Sequence, residues 1–348
     1  MSADIGKILI TGGAGFIGCN LVRHLLETDA EALVTNLDAL TYAGNLGSLA
    51  GIEEDSRYTF VHGDICDADV VRPTMDGVDV VLNLAAESHV DRSILSAAPF
   101  VRTNVMGTQT LLAAALEVGV RRFVQVSTDE VYGELPWFDP EDVERLAHRF
   151  TEQTPVAPRS PYSATKAAAD HLALAYHTTH GLDVVVTRCS NNYGPYQFPE
   201  KLIPLMITHA LEDRPLPVYG DGLHVRDWIH VRDHCRGLLA AVDRGEPGAV
   251  YNFGGNAERT NLSVVRAVLS VLGKPEDRIE RVTDRPGHDR RYAIDASRAE
   301  AELLWTPDVV NFEEGLADTV EWYLAHEAWW RRVQSGEYWE YHQKQYGS

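Results

Sequence analysis

The sequence predicts an α/β protein, a doubly wound parallel sheet carrying a smaller, mixed C-terminal lobe. Three observations predict it. Short apolar runs alternate with segments of helical period through the first half, the pattern of successive strand–helix–strand units. The first run, Lys7-Ile8-Leu9-Ile10-Thr11, passes directly into Gly12-Gly13-Ala14-Gly15-Phe16-Ile17-Gly18, a glycine loop of the kind that joins a strand to a helix. Beyond Arg188 the alternation loosens. A chain of 348 residues exceeds what one core usually organises, so two lobes are expected. The division falls at 1–190 and 191–348, with some later segments crossing back to the first lobe.

Each element has a reason in the sequence. Gly12, Gly15 and Gly18 let the backbone turn tightly, approach a pyrophosphate and pack the following helix on the sheet. Phe16 and Ile17 open that helix, whose N-terminal N–H groups and dipole favour phosphate. The next strand, 32–37, ends in Asp38, twenty residues after Gly18, the spacing of a ribose-binding acid. A carboxylate there accepts hydrogen bonds from both ribose hydroxyls and repels a 2′-phosphate, which favours NAD over NADP. Strands are expected at 58–62 and 78–83. Asp64 and Ile65, after the first, are placed for an adenine edge and face. Ala85 and Ala86, after the second, are small enough for a cofactor to lie against backbone. A helix is expected over 99–118, with Leu111, Leu112 and Ala115 on one face. This is the Rossmann arrangement of a dinucleotide-binding domain.

The centre of the chain is Ser127-Thr128-Asp129-Glu130-Val131-Tyr132-Gly133. The apolar run Phe123-Val124-Gln125-Val126 leads into it as a short buried strand. Two adjacent carboxylates therefore stand at the C-terminal end of a strand, where open α/β sheets bind ligands. Pro161 suits the first turn of a helix running to about residue 180. Tyr162 and Lys166 are i and i+4 on one face of it, and an ammonium beside a phenol favours phenolate. Ala167-Ala168-Ala169 permits close helix packing. Farther on, Asn191-Asn192-Tyr193-Gly194-Pro195 reads as a loop, 216–222 as a strand and turn, and 252–255 as the end of another strand. Residues 284–291 form a basic loop in an acidic chain. His230 and His234 are i, i+4 but have no evident third ligand, so no metal site is expected. Trp322, Tyr323, Trp329, Trp330 and Trp339 are expected to pack a terminal helix onto the body.

Composition sets outer limits. A formal charge of −20 argues against a nucleic-acid partner, which needs a basic face. Cys19, Cys66, Cys189 and Cys235 form no C-x-x-C pair and read as free thiols of a reducing compartment. A strand beginning at Lys7 leaves no room for a signal peptide, and no apolar run reaches the roughly 18 residues of a membrane span. A cytoplasmic protein without a membrane partner is expected.

Together these motifs resemble the extended short-chain dehydrogenase/reductase superfamily, with its T-G-x-x-G-x-x-G loop and Tyr-x-x-x-Lys pair. Within it, the resemblance to the dTDP-glucose 4,6-dehydratase family runs over nearly the whole chain. It is carried by 38–45, 85–93, 127–133, 162–166, 191–205 and 285–295. The Thr-Asp-Glu triplet is its most specific part. Cys19 and Thr165 stand where serines are common. The resemblance implies NAD chemistry on a nucleotide sugar. Tyr162 takes the C4 hydroxyl proton as C4 is oxidised, with Lys166 beside it and Thr128 on the C4 oxygen. Glu130 removes the C5 proton, Asp129 protonates the departing C6 hydroxyl, and hydride returns to C6. It adds Leu40, Thr41, Leu84, Ser88, Thr103 and Asn192 to the cofactor side. For dTDP-glucose it implies Ser88, Asn191, Lys201, Leu202, Pro217, Tyr219, Arg226, Asn261, Arg285, His288 and Asp289, with Arg226 and Arg285 facing the diphosphate. It also implies a homodimer pairing helices near 98–118 and 161–180. A 4-epimerase has no use for Asp129-Glu130, and a non-catalytic NAD sensor has none for Tyr162 and Lys166.

Overall fold

Seven parallel strands form the main sheet in the order β10-β6-β5-β4-β1-β2-β3. The computed structural model describes residues 6–136, 148–284, 287–309 and 311–334. In chain order the strands are β1 (Lys7–Thr11), β2 (Leu33–Asp38), β3 (Tyr58–His62), β4 (Val80–Asn83), β5 (Arg122–Thr128), β6 (Val184–Cys189), β7 (Asn191–Tyr193), β8 (Leu216–Tyr219), β9 (Val225–His230), β10 (Val250–Phe253), β11 (Glu258–Thr260) and β12 (Ile279–Val282). The order reverses between β1 and β4, which creates the crevice in which such sheets bind ligands. β4, β5 and β6 are buried along their whole length, which is why they read as apolar runs rather than alternating ones.

Helices cover both faces. One layer comprises Phe16–Thr28 and Val231–Arg244, whose Leu21, Leu25, Leu238 and Val242 pack with Ile8 and Ile10 of β1. The other comprises Thr108–Val118 and Pro161–His180, with Leu111, Leu112 and Ala173 against Leu9, Val81 and Phe123. β10 and the helix Val231–Arg244 both come from beyond residue 190, so the chain crosses back to complete the first sheet. The smaller lobe holds a three-stranded mixed sheet, β11-β9-β7, and the parallel pair β12-β8. Its core joins Ile203, Met206 and Val265 to Tyr323, Trp329 and Trp330. The C-terminal aromatics thus pack as expected, save Trp339, which lies outside the described residues.

Two sequence expectations change. Residues 191–195 do not form only a loop: Asn191–Tyr193 is the short strand β7, paired in parallel with β9. The helix expected over 99–118 is interrupted by a π-helical stretch, Val101–Gly107, before Thr108–Val118. Such wide turns concentrate at functional sites. This one puts Asn104 where its Nδ2 donates to Thr165 Oγ1 at 2.9 Å and its Oδ1 accepts the Glu87 N–H at 2.9 Å. Among the described residues, no helix is long and apolar enough to cross a membrane.

Candidate active site

The C-terminal ends of β1, β4, β5 and β6 open into one cavity of about 330 Å³. The glycine loop and Asp38 line one end, and Thr128, Asp129, Glu130, Tyr162 and Lys166 the other. At the first end a side chain on Gly12 has no place. Its φ is +72°, and a Cβ there would lie 2.8 Å from backbone atoms of Ala85. Gly15 caps the helix Phe16–Thr28 without a side-chain hydrogen bond. Phe16, Ile17 and Gly18 therefore present an uncapped helix N-terminus to the cavity. Asp38 accepts the N–H groups of Ala14 and Leu40, each at 2.8 Å. Burial outweighs these bonds and raises its carboxyl above the ordinary value. Leu40 orients Asp38 from behind, at φ +51°, and does not itself line the cavity. Thr41, Asp64, Ile65, Leu84, Ala85, Ala86, Ser88 and Thr103 do. Burial opposes ionisation of Asp64, but the Cys66 N–H and an ion pair with Arg102 at 2.7 Å hold it below its ordinary value.

At the far end, β5 stops at Thr128 and a 3₁₀ turn, Asp129–Tyr132, begins. The Thr128 hydroxyl donates to Asp129 Oδ1 and accepts the Glu130 N–H, both at 3.3 Å. Asp129 is 2% exposed, and its Oδ2 finds no donor among the described residues. Burial first, then the charges of Glu130 and Asp227, push its carboxyl well above the ordinary range. It holds a proton. Glu130, next in sequence, is only half-buried. Two adjacent carboxylates thus occupy unlike environments, the usual way a protein separates an acid from a base.

Tyr162 and Lys166 are both buried in the same wall. Here the sequence expectation needs correction. Burial and the Glu130 charge hold the Tyr162 phenol well above its ordinary value, while a Thr128 hydrogen bond pulls the other way. Burial also lowers the Lys166 ammonium, which donates to the Val126 carbonyl at 2.6 Å. The lysine alone therefore does not make a resident phenolate. Below it, Asp170 and Arg188 form a buried ion pair at 3.0 Å, and the Asp170 charge supports Lys166.

Asn191, Asn192 and Lys201 also line the cavity, and Lys201 Nζ donates to the Ser88 carbonyl at 3.1 Å. Leu202 follows as the first residue of the helix Leu202–Leu211. Pro217, Tyr219, Arg226, Asn261, His288 and Asp289 do not line it. Tyr219 donates to Asp91 at 3.2 Å and meets the His288 ring edge-on at 5.9 Å. The His288 ring stacks on His224 at 3.7 Å, and the Asn261 N–H donates to the His224 carbonyl at 2.8 Å. Arg226 Nη1 and Nη2 donate to the carbonyls of Val225 and Asp289, and its guanidinium lies 4.4 Å over the Tyr292 ring. There its charge opposes the upward shifts of Asp129 and Tyr292. Arg285 lies outside the described residues. His224, Asp284 and His288 bring potential ligand atoms within 4.8 Å of one another. The two rings are parallel within 13°, however, so their in-plane lone pairs do not converge on an ion.

Sequence reasoning missed Glu200, Tyr42 and Cys189, which complete the cavity wall. Glu200 is buried, 3.4 Å from Arg92 and 3.8 Å from His89, and burial pushes it up to about 7. The Arg92 guanidinium lies 4.0 Å over the Tyr42 ring. Nothing in the local pattern marks these residues, because burial makes them unusual and burial arises only on folding.

Comparison with known proteins agrees with this geometry. The family described as GDP-mannose 4,6 dehydratase matches residues 9–319. A dTDP-glucose 4,6-dehydratase of Streptomyces griseus is 54% identical over 325 residues, covering 93% of this chain and 95% of its own length. A crystal structure of the dTDP-glucose 4,6-dehydratase from Streptomyces venezuelae, with NAD and TYD bound, superposes with a TM-score of 0.89 at 48% identity, over 94% of this chain and 99% of that one. A UDP-glucuronic acid 4-epimerase from Bacillus cereus, in complex with UDP-glucuronic acid and NAD, shares the fold at a TM-score of 0.83 but only 30% identity, over 92% of this chain and 99% of that one. On the match to the family pattern, the full-length identity and the Thr128-Asp129-Glu130 turn facing Tyr162 and Lys166, this chain belongs to the dTDP-glucose 4,6-dehydratase family.

Proposed function

We propose that this cavity binds NAD along the glycine loop and dTDP-glucose beyond it, and that its far end divides an elimination of water among named side chains. The protein is a dTDP-glucose 4,6-dehydratase, a hydro-lyase that yields dTDP-4-keto-6-deoxyglucose. The observation that carries the assignment of roles is the unlike setting of neighbouring carboxyl groups, a buried Asp129 whose pKa is raised by that burial beside a half-buried Glu130.

The residues fit a dinucleotide. The uncapped N-terminus at Phe16–Gly18 suits the diphosphate, Asp38 suits the ribose hydroxyls, and the Gly12–Ala85 approach leaves room for backbone contact. When bound, NAD supplies an acceptor for the C4 hydride and a positively charged ring. Tyr162 receives the C4 hydroxyl proton, and Thr128 holds the C4 oxygen. Burial raises the Tyr162 phenol, so its work as a base is helped by positive charge brought into the cavity in addition to Lys166. Glu130 takes the C5 proton, made acidic by a ketone at C4. Asp129 gives its proton to the leaving C6 hydroxyl, and the hydride taken from C4 would return to C6 while Glu130 gives its proton back at C5, so the redox state of the cofactor is restored. An epimerase has no step that uses a carboxyl held protonated at this position.

Lys201, Ser88 and Asn191 are assigned to the sugar nucleotide, together with the loop around His288 and Asp289. The functional unit is a homodimer in the cytoplasm. Ile94, Leu95, Val101 and Met106 are exposed along 90–107, an apolar strip beside the helix Pro161–His180 that a second copy would cover. The four cysteines are free thiols, as a reducing compartment requires. Incubation with dTDP-glucose and UDP-glucose in parallel, followed by product analysis, tests the reading. A dehydrated 4-keto product from dTDP-glucose supports it, whereas an epimerised sugar, or turnover of UDP-glucose alone, refutes it.

A further inference from the structure

His230 and His234, the i, i+4 pair that binds no evident metal, serve another purpose. Both sit at the start of the helix Val231–Arg244 and face β7. His230 is its N-cap, accepting the Arg232 N–H at 3.3 Å, and its ring meets Tyr193 edge-on at 5.3 Å. His234 is fully buried, and its Nδ1 lies 2.9 Å from Asn192 Oδ1. The Asn192 Nδ2 in turn donates to the Ser190 carbonyl at 3.0 Å and to Cys189 Sγ at 3.3 Å.

This network admits one orientation of the Asn192 amide. Flipping it would set Oδ1 against the Ser190 carbonyl, acceptor against acceptor. With Oδ1 toward His234, the imidazole must carry its proton on Nδ1. Burial pushes His234 down to about 3, so it stays a neutral donor at any working pH. Its Nε2 is left in an apolar setting, with the Phe253 ring 6.1 Å away. The amide therefore has both ends committed before any ligand arrives.

Asn192 lines the cavity, and Cys189 and Ser190 stand with it at the C-terminal end of β6. β6 neighbours β5, which carries Asp129, whereas Asp38 and Asp64 mark the opposite end. A dinucleotide whose adenosine ribose lies on Asp38 must place its nicotinamide on the Asn192 side. We propose that His234 is a positioning residue for the nicotinamide end of NAD, acting through the Asn192 amide. The proposal rests on the reading of the cavity as an NAD site.

The test compares NAD with ADP-ribose, which has the same adenosine diphosphate and riboses but no nicotinamide. Both are titrated by calorimetry into the full chain stripped of cofactor. His234→Phe keeps a ring and loses the donor, so NAD affinity should fall roughly tenfold, the worth of one hydrogen bond, with ADP-ribose affinity held within about twofold. His234→Asn, whose amide nitrogen can take the place of Nδ1, should recover NAD affinity to within about threefold. Equal loss of both ligands in His234→Phe would mean that the histidine merely keeps β7 in place, and unchanged NAD affinity would mean that it does nothing for the cofactor. Either result overturns the proposal. Should His234→Phe not fold, His234→Leu, which also removes the donor, answers the same question: a loss confined to NAD supports the proposal, and a loss shared by ADP-ribose, or none, overturns it. Failure of the wild-type enzyme to dehydrate dTDP-glucose would refute the substrate reading alone, because the ratio of NAD to ADP-ribose affinity does not depend on the sugar.

Discussion

Consider replacing each carboxylate of the Asp129–Glu130 pair by its amide. In the proposed mechanism Tyr162 and Lys166 carry C4 oxidation, so both variants should still form bound NADH and 4-keto sugar, whereas Tyr162→Phe should form neither. Glu130→Gln lacks the C5 base and should incorporate little deuterium at C5 in heavy water. Asp129→Asn keeps the base, so exchange at C5 should persist while loss of the C6 hydroxyl slows. A positioned acid is generally worth about 10²–10⁴ in rate, or about 3–5.5 kcal/mol of barrier. The structure selects the upper half of that range. Asp129 is 2% exposed, with an Oδ2 that no described protein group satisfies, so solvent has poor access to substitute as proton donor. The assay is NMR of the sugar after single turnover, with NADH followed by absorbance. Equal, fast C5 exchange and near-normal dehydration in both variants would refute the division of labour and make the pair a structural turn. Asp129→Asn has a second consequence. A carboxyl whose folded pKa is raised costs stability as pH climbs from its unfolded value through its folded one. The amide should therefore lose that pH dependence and be the more stable protein on the alkaline side, as chemical denaturation at several pH values would reveal.

Further expectations follow from other walls of the cavity. Glu200 is pushed from 4.5 up to about 7, an interval worth about 3 kcal/mol at 1.36 kcal/mol per pH unit. Stability should drop by about that much as pH rises through this window. Glu200→Gln should thus gain about 3 kcal/mol on wild type between pH 4 and pH 8, and parallel urea curves with no relative gain would exclude the burial argument. Asp38→Asn should weaken NAD by about 1.5–3 kcal/mol, as for hydrogen bonds to a charged group, and narrow its preference over NADP; undiminished selectivity by calorimetry would remove Asp38 from the ribose. Gly12→Ala forces φ +72° on a side chain that meets Ala85 backbone at 2.8 Å, so cofactor binding should fail and stability fall by about 1–3 kcal/mol of strain, read as a lower melting temperature. Arg226→Ala should leave NAD affinity intact and weaken the nucleotide sugar by about 1.5–3 kcal/mol through the Asp289 loop it holds; loss of NAD instead would place it on the cofactor side.

What the sequence made legible and what it hid divide along one physical line. Glycines 12, 15 and 18, the acid at 38, the triplet ending at Glu130 and the Tyr162–Lys166 spacing are local patterns, each fixed by a turn or a helical period. All of these chemical groups arrive in one cavity. The 191–195 segment was misread as a loop because β7 is only three residues long and owes its strand character to β9, more than thirty residues away. The π stretch at Val101–Gly107 was equally hidden, since the extra residue per turn serves Asn104, Glu87 and Thr165 rather than any local preference. Charge states were the least legible of all. The spacing of Tyr162 and Lys166 suggested a lowered phenol, yet full burial and the neighbouring Glu130 raise it. The same burial turns Asp129 into an acid and His234 into a permanently neutral donor. One cause therefore acts in opposite chemical directions on three side chains, and it prepares the site in a particular order. In the proposed mechanism the acid and the nicotinamide wall are set by the fold itself, while positive charge entering the cavity assists the Tyr162 base. In that mechanism a base assisted by the hydride acceptor's charge is spared wasteful deprotonation of a bound sugar, and the coupling follows from burial rather than from any motif.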